Sequence, residues 1–524
     1  MHPLNSASLV FALGVLPAQA PEYFTNAEMK QEIDALAAQA PGIAMAVDLT
    51  QLPGAARTHN GSSIWALKVS DGVALDEDEP ALLLVAQHHS NELNTAPQIL
   101  HVMQQLVNGY GSDPGLTAVV DNYETYLVPI VNPDGVDYVW STSPGWRKNR
   151  RPNGGGSFGV DLNRNYSTLW SASCGGSTRT TSSTYRGPAA ESEPEVRTLL
   201  ALVQAIRPEV YLDFHSFGRE VLHTYAPCAV FGASIDGLIR RYADDLRGPM
   251  NYGFRDPSAS GEAPEDLWND GGTMSLLIEV GTSQQPPWSS SVSEVARVWP
   301  GLRRAITTWE PAVRGHVRAL GSGAPIAATI DLAPNPYQQG EVTNSRQRDG
   351  RYGLWLPLGT WDVRFAAPGF QPATRRVNVT AYDQAQALDV ELAPVGAGGP
   401  TIALSGTPRL GQDLDITYTS PSDGGLVYWV PLSAGTSPGI PLGAAGTIPL
   451  NPDSVFFISV LVPSVVANNT GVLPASAQVT ATFPIPTSVG LVGLTLYTGG
   501  ITFNPGTVGG IKTWSSAASF TIQS

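Results

Sequence analysis

ALLLVAQHHSNELNT, residues 81–95, runs through six apolar residues and then empties into two histidines and a glutamate. An apolar run this short, with no polar alternation, reads as a strand buried on both faces. Beyond it Ile99, Leu100, Met103, Leu106 and Val107 recur on one helical face, so a helix follows the strand. In an open α/β sheet, ligands bind past the carboxyl ends of the strands, which is where His88, His89 and Glu92 fall. The three-residue spacing of His89 and Glu92 lets both side chains face one point if the segment makes a single turn. The plain alternative is a polar loop that happens to contain them.

The same alternation continues along the chain. Thr125–Val131 (TYLVPIV) is a second apolar run, closed by the turn residues Asn132-Pro133-Asp134-Gly135. Ser192-Glu193-Pro194-Glu195 reads as a capping box opening a helix with Val196, Leu199, Leu200, Val203 and Ile206 on one side. Val210–Phe214 and Ser275–Val280 are further strands. Residues 21–310 are therefore expected to form an α/β domain, with a mostly parallel mixed sheet flanked by helices. After Trp309-Glu310-Pro311 the segments become short, strand-like and separated by Gly/Pro turns, so 311–396 reads as a small β-sandwich. A glycine-rich linker, Val395–Pro400, leads into 397–524, nearly free of charge and rich in Thr, Ser, Gly and Pro, which also reads as all-β. The expected architecture is multidomain: one α/β domain followed by two all-β, sandwich-like domains.

The totals exclude several classes. A net charge of −15 on 524 residues argues against a nucleic-acid binder, whose phosphate contacts need a basic surface. Two cysteines, Cys174 and Cys228, exclude a zinc ribbon or a disulfide-rich scaffold. They leave open one disulfide or two buried thiols. Residues 1–20 carry an apolar stretch, Ala7–Leu16, and an Ala-Gln-Ala at 18–20, and read as a signal peptide directing export, although no Lys or Arg precedes the apolar run. No later segment is long and apolar enough to be a transmembrane helix.

A metal at His89 and Glu92 needs a third ligand. Of eight histidines, His215 in VYLDFHSF also stands at a strand end, 126 residues downstream of His89. Two histidines and a glutamate are a common catalytic zinc set, leaving one position for water. Glu279 in SLLIEVGT ends another strand; burial there would raise its pKa toward a value useful for proton transfer. Its plainer reading is a partner for a nearby arginine. The stretch 145–166, GWRKNRRPNGGGSFGVDLNRNY, gathers Arg147, Lys148, Arg150, Arg151 and Arg164. It is either a solvated basic loop or a device for capturing a carboxylate and an oxyanion.

Seven elements occur together: HSNE (89–92), NPDG (132–135), WRK (146–148), GVDLNRN (159–165), YRGPAAESEPE (185–195), FHS (214–216) and IEVG (278–281). In this order they resemble the M14 family, the carboxypeptidase A-like zinc carboxypeptidases. The resemblance implies one Zn2+ held by His89, Glu92 and His215. It implies Glu279 as the general base acting on zinc-bound water, and Arg147 as the group that polarises the scissile carbonyl and holds the oxyanion. Asn163 and Arg164 would bind the free terminal carboxylate of a peptide or protein substrate, and Asp161 would orient His89. The chain departs from the pancreatic branch of the family in two places. Asn91 replaces the arginine of HSRE, and PSASG (257–261) puts Pro257 where a mobile tyrosine is expected, with Tyr252 as a candidate substitute. In GEAPEDLWNDGGTMS (261–275), Glu262, Glu265 and Asp266 are either attractors for a basic terminal residue or exposed loop charges. Residues 311–396 are similar to the transthyretin-like, carboxypeptidase-regulatory domain, which implies packing or partner contacts. Residues 397–524 suggest no function. Two other readings use the same residues. One is a hydrolase of cell-wall peptides on the same zinc site. The other is an inactive peptidase-fold binding protein, which would lack a ligand or the base; here all are present.

Overall fold

In the computed structural model, which describes residues 23–394, 399–442, 447–462, 464–504 and 510–524, the run 81–86 is a strand near the middle of an eight-stranded sheet. The expected signal segment 1–20 and residues 395–398 of the expected linker lie outside the described residues. The strands up to residue 310 are β1 (Ala44–Asp48), β2 (Trp65–Val69), β3 (Ala81–Ala86), β4 (Glu124–Val128), β5 (Pro152–Gly154), β6 (Ser157–Phe158), β7 (Pro208–His215), β8 (Glu220–Leu222), β9 (Gly253–Arg255) and β10 (Met274–Glu279). The helices are α1 (Asn26–Gln39), α2 (Ala96–Gly109), α3 (Pro114–Asn122), α4 (Pro133–Ser141), α5 (Pro194–Ile206), α6 (Ala233–Met250), α7 (Ala263–Gly271) and α8 (Trp288–Thr308).

The sheet order is β1-β2-β4-β3-β7-β10-β8-β9, and the central β4, β3, β7 and β10 are mutually parallel. Antiparallel pairings of β1 with β2, β2 with β4 and β10 with β8 make the whole sheet mixed. Every residue of β3 and of β7 is buried, as expected of strands covered on both faces. Alternate residues divide between two cores. Leu82, Leu84, Leu212, Phe214 and Ile278 pack with α1, α2, α3, α6 and α8, whereas Leu83, Val85 and Tyr211 pack with α5 and Leu267 of α7.

Two local expectations need correction. The run 125–131 gives a strand only to Val128, because Pro129 has no N–H to contribute to the ladder. The capping box at 192–195 does not form: Glu193 is the N-cap of α5 and makes no side-chain cap bond. Both glutamates are drawn instead to the amide of Asn149, at 2.7 Å and 3.1 Å, and Glu193 also holds Arg151.

Residues 313–392 fold as two four-stranded sheets around one apolar core that includes Val313, Val317, Val363 and Phe365. This layer docks on the start of β7. Arg314 donates two hydrogen bonds to the Glu209 carboxylate, and the indole of Trp355 donates to the Glu209 carbonyl and joins the core of the α/β part. Six residues of strand, roughly 20 Å, separate Glu209 from His215 at the far end. The described residues of 401–524 form further small sheets around apolar cores of their own, and a short α-helix, α9 (Ser454–Leu461), interrupts the all-β pattern. Among the described residues no helix is long and apolar enough to cross a membrane.

Cys174 and Cys228 are joined in a disulfide that closes a 54-residue separation, which resolves the alternatives left by the sequence. A loop of this length is worth about 4 kcal/mol in the chain-entropy account. Reduction is therefore expected to lower the stability of the α/β part by up to that amount, measured by denaturant titration with and without reductant.

Candidate metal and catalytic centre

Three adjacent parallel strands bring the chemistry to one edge. β3 ends at Ala86, just before His89 and Glu92; β7 ends at His215; β10 ends at Glu279. Glu279 stands directly opposite His215 in the β7–β10 register. Residues 126 positions apart in sequence thus meet because their strands are neighbours, and the helices α2 to α5 are the crossovers between them.

His89 Nδ1 lies 2.9 Å from His215 Nδ1 and 2.9 Å from Glu92 Oε1, and His215 Nδ1 lies 3.2 Å from Glu92 Oε2. All three side chains are buried. The opposite nitrogens are engaged elsewhere: His89 Nε2 sits 2.9 Å from Asp161 Oδ1, and His215 Nε2 lies 3.2 Å from Asp213 Oδ2 and 3.1 Å from the Asn163 amide. A carboxylate facing Nε2 holds the N–H there, so each Nδ1 turns a lone pair toward the other and toward Glu92. Three Lewis bases converging in a buried space ask for a cation. The surroundings agree: burial opposes charge on His215, yet Asp213 and Glu92 push its imidazole well above its ordinary range. Ligands of a tetrahedral zinc with bonds of about 2.0–2.2 Å stand about 3.3 Å apart, close to the observed separations. The N, N, O donor set of His89, Glu92 and His215 therefore fits zinc.

Around this trio the other expected residues take distinct places. Burial opposes ionisation of Asp161, but Arg147 and His89 hold its carboxyl well below the usual range. Arg147 donates from Nε to Asp161 Oδ2 at 3.1 Å and from a terminal nitrogen to Glu92 Oε1 at 3.3 Å. It stays partly exposed. Glu279 is pushed up to about 7, first by burial and then by the charge of Glu92. Its arginine neighbour exists, but Arg255 is 3.5 Å away and bonded more closely to Glu220 at 2.6 Å. Asn163 is fully buried; its NH2 nitrogen lies 3.1 Å from His215 Nε2, and its oxygen accepts from the Ala263 N–H at 2.8 Å.

The segment 261–275 overturns one expectation. Glu262, Glu265 and Asp266 are not exposed loop charges; all three are buried at the first turn of α7. Proline at the start of that helix and free N–H groups in its first turn favour acidic residues there. Glu262 pairs with Arg164 at 2.9 Å, Glu265 accepts from the Ala226 N–H, and Asp266 accepts from Ser167 and Thr168. Burial pushes Glu265 up to about 8 and Asp266 up to about 6. Tyr252 is not a substitute for the missing tyrosine, because its hydroxyl is buried and donates to Glu294.

Two functional neighbours were not anticipated. Asp213 bridges His215 and His88, whose Nδ1 is 3.0 Å from Asp213 Oδ1, and His88 Nε2 meets the Tyr166 hydroxyl at 2.7 Å. His88 thus supports the layer behind the trio. The signal for Asp213 was available: it is a charged residue inside an apolar strand, two positions before His215 and so on the same face. Besides His88-Asp213-His215, which shares His215 with the trio, two other clusters among the described residues have metal-like spacing. In one, His59-Glu193-Glu195, the carboxylates are taken by Asn149 and Arg151; the other, Asp71-Glu77-Glu79, is an acidic surface loop.

Residues 29–268 match the family model described as zinc carboxypeptidase. A zinc carboxypeptidase of Saccharothrix mutabilis subsp. capreolus is 38% identical over 130 residues, covering 24% of this chain and 30% of that protein. Carboxypeptidase A2 of Rattus norvegicus is 32% identical over 208 residues, covering 39% of this chain and 46% of that protein. The chain thus spans less than half the length of these two relatives. The solved carboxypeptidase A from Helicoverpa armigera is 22% identical with a TM-score of 0.48, over 54% of this chain and 74% of that one.

Proposed function

We propose that this chain, through the zinc carboxypeptidase domain at residues 29–268, is a metal-dependent hydrolase of the C-terminal peptide bond of peptides or proteins. The observation that carries the proposal is the convergence of His89 Nδ1, His215 Nδ1 and the Glu92 carboxylate, with Glu279 directly opposite His215 on the neighbouring strand. Zinc held by those three would supply Lewis acidity, polarising a carbonyl and making water acidic near neutral pH. The remaining work falls to the protein. Glu279, which lies beyond the matched residues, takes the proton from the attacking water and returns it to the leaving amine. Arg147 offers its guanidinium to the negative charge developing on the carbonyl oxygen. Asp161 fixes the His89 ring and Arg147 together, and Asp213 does the same for His215. Arg164 receives the terminal carboxylate of the substrate, with Glu262 beside it to hold the guanidinium in place. Asn163 contributes its amide N–H donors to the same terminal carboxylate, its oxygen being held by the Ala263 N–H. We also infer export, supported by the Cys174–Cys228 disulfide, since disulfides persist mainly in oxidising compartments.

Elemental analysis for zinc, together with release of free amino acids from peptides of varied termini, tests the reading. Absence of both would overturn it. Arg164→Ala is expected to lower kcat/KM by about 10–100-fold on peptides with a free terminal carboxylate, mainly through KM, which corresponds to loss of one charged hydrogen bond. Cleavage of C-terminally amidated peptides should change little. Equal losses on both substrates would remove Arg164 from the carboxylate site.

A further inference from the structure

The residues that flank Arg147 on its open side have no part in the chemistry described above. Between the loop 143–150, the β5–β6 hairpin and residues 181–183 lies an open cleft of about 450 Å³, and Arg147 belongs to its wall. Arg150 lines this cleft. Its guanidinium carbon lies 3.6 Å from the Tyr138 ring centre and 4.8 Å from each of the Trp146 and Phe158 ring centres. Phe158, at the end of β6 opposite Pro152, is 40% exposed. The flanking cations are already engaged: Arg147 with Glu92 and Asp161, Arg151 with Glu193, and Lys148 with the Thr180 carbonyl. Arg150 alone of this run has no carboxylate within salt-bridge distance and no hydrogen bond to protein among the described residues. Three aromatic rings therefore hold a half-buried, uncompensated positive charge beside the candidate catalytic centre. Ring contacts use the faces of a guanidinium and leave its N–H edge for a bidentate acceptor. In a chain of net charge −15, which repels acidic peptides elsewhere, this is a local site of complementary sign.

We propose that this cleft receives the part of the peptide substrate upstream of the scissile bond, and that Arg150 selects an aspartate or glutamate there. The proposal rests on the exopeptidase reading and adds a specificity-determining residue to it. Contacts made by an upstream side chain are equal in the ground and transition states, so they act on KM and leave kcat nearly unchanged.

The test uses the full chain and N-acetylated peptides with one constant C-terminal dipeptide, in which a single Asp, Asn, Phe or Lys is moved through the four preceding positions. At one position Asp is expected to be preferred to Asn by about fivefold in KM, the size of a partly exposed ion pair, and the preference should fade in high salt. Arg150→Gln should remove it without altering kcat on the Asn peptide, and Arg150→Lys should restore part of it. The same peptides, made uncleavable by N-methylation of the last peptide bond, give a second readout through calorimetric titration of binding. They report the selectivity even if no peptide is hydrolysed, in which case the exopeptidase reading fails separately. Indifference to Asp at every position, a preference for Phe alone, or an Asp preference that survives Arg150→Gln would each overturn the proposal.

Discussion

Glu279→Gln is expected to lower kcat by about 10²–10⁴-fold while bound zinc and KM stay near their wild-type values, the range for losing a positioned general base. Three features set this expectation. Glu279 ends β10 directly opposite His215, so its side chain reaches the trio without belonging to it. Its carboxyl is pushed up to about 7 by burial and by Glu92, which keeps it able to accept and return a proton near neutrality. Glutamine keeps the volume and the hydrogen-bonding shape, so the strand end should stay in place while the proton acceptor is lost. The competing account, that Glu279 merely pairs with Arg255, predicts the reverse pattern. An ion pair 3.5 Å long beside an arginine already bonded to Glu220 would contribute modestly to stability and nothing to kcat. Single-turnover rates, zinc content and thermal melting on the two proteins separate these accounts. A variant with near-normal kcat would mean that the proton acceptor is another group.

Much of this centre could be read from sequence because its chemistry is written at strand ends. Apolar runs at 81–86, 210–214 (broken only by Asp213) and 276–278 announce strands buried on both faces, and the first polar residues beyond such runs must fall at the sheet edge. That argument located His89, Glu92, His215 and Glu279 without knowledge of strand order. It could not give the order itself: β3, β7 and β10 are neighbours only because β4 pairs on the other side of β3 and β8 returns antiparallel beyond β10. The misreadings share one cause. Charges judged by composition as surface residues were placed by tertiary partners. Glu262 is buried against Arg164, Glu265 against the Ala226 N–H and Asp266 against Ser167 and Thr168, and Glu195 abandons a local cap for the amide of Asn149. Local pattern fixes periodicity, but it does not reveal which distant donor a carboxylate will meet.

Replacing the donors themselves should produce a graded loss that distinguishes a metal centre from a hydrogen-bonded cluster. His215→Ala removes one of three ligands and is expected to abolish stoichiometric zinc binding and turnover together, as read by competition with a chromogenic chelator and by peptide hydrolysis. Asp161→Asn leaves all three donors in place and takes away only the carboxylate behind His89. Loss of such an outer partner weakens metal affinity by about 10–100-fold, so saturating zinc should refill the site. Activity should nevertheless remain below wild type at saturation, because Asp161 Oδ2 also accepts from Arg147 at 3.1 Å and sets that guanidinium relative to the carbonyl oxygen. A purely structural cluster would behave differently. Both substitutions would lower the melting temperature, since each unbalances buried charge, but neither would alter zinc stoichiometry. The decisive observation is therefore the metal titration of the His215→Ala protein. Wild-type affinity there would show that these two imidazoles and Glu92 face one another for reasons other than holding a cation.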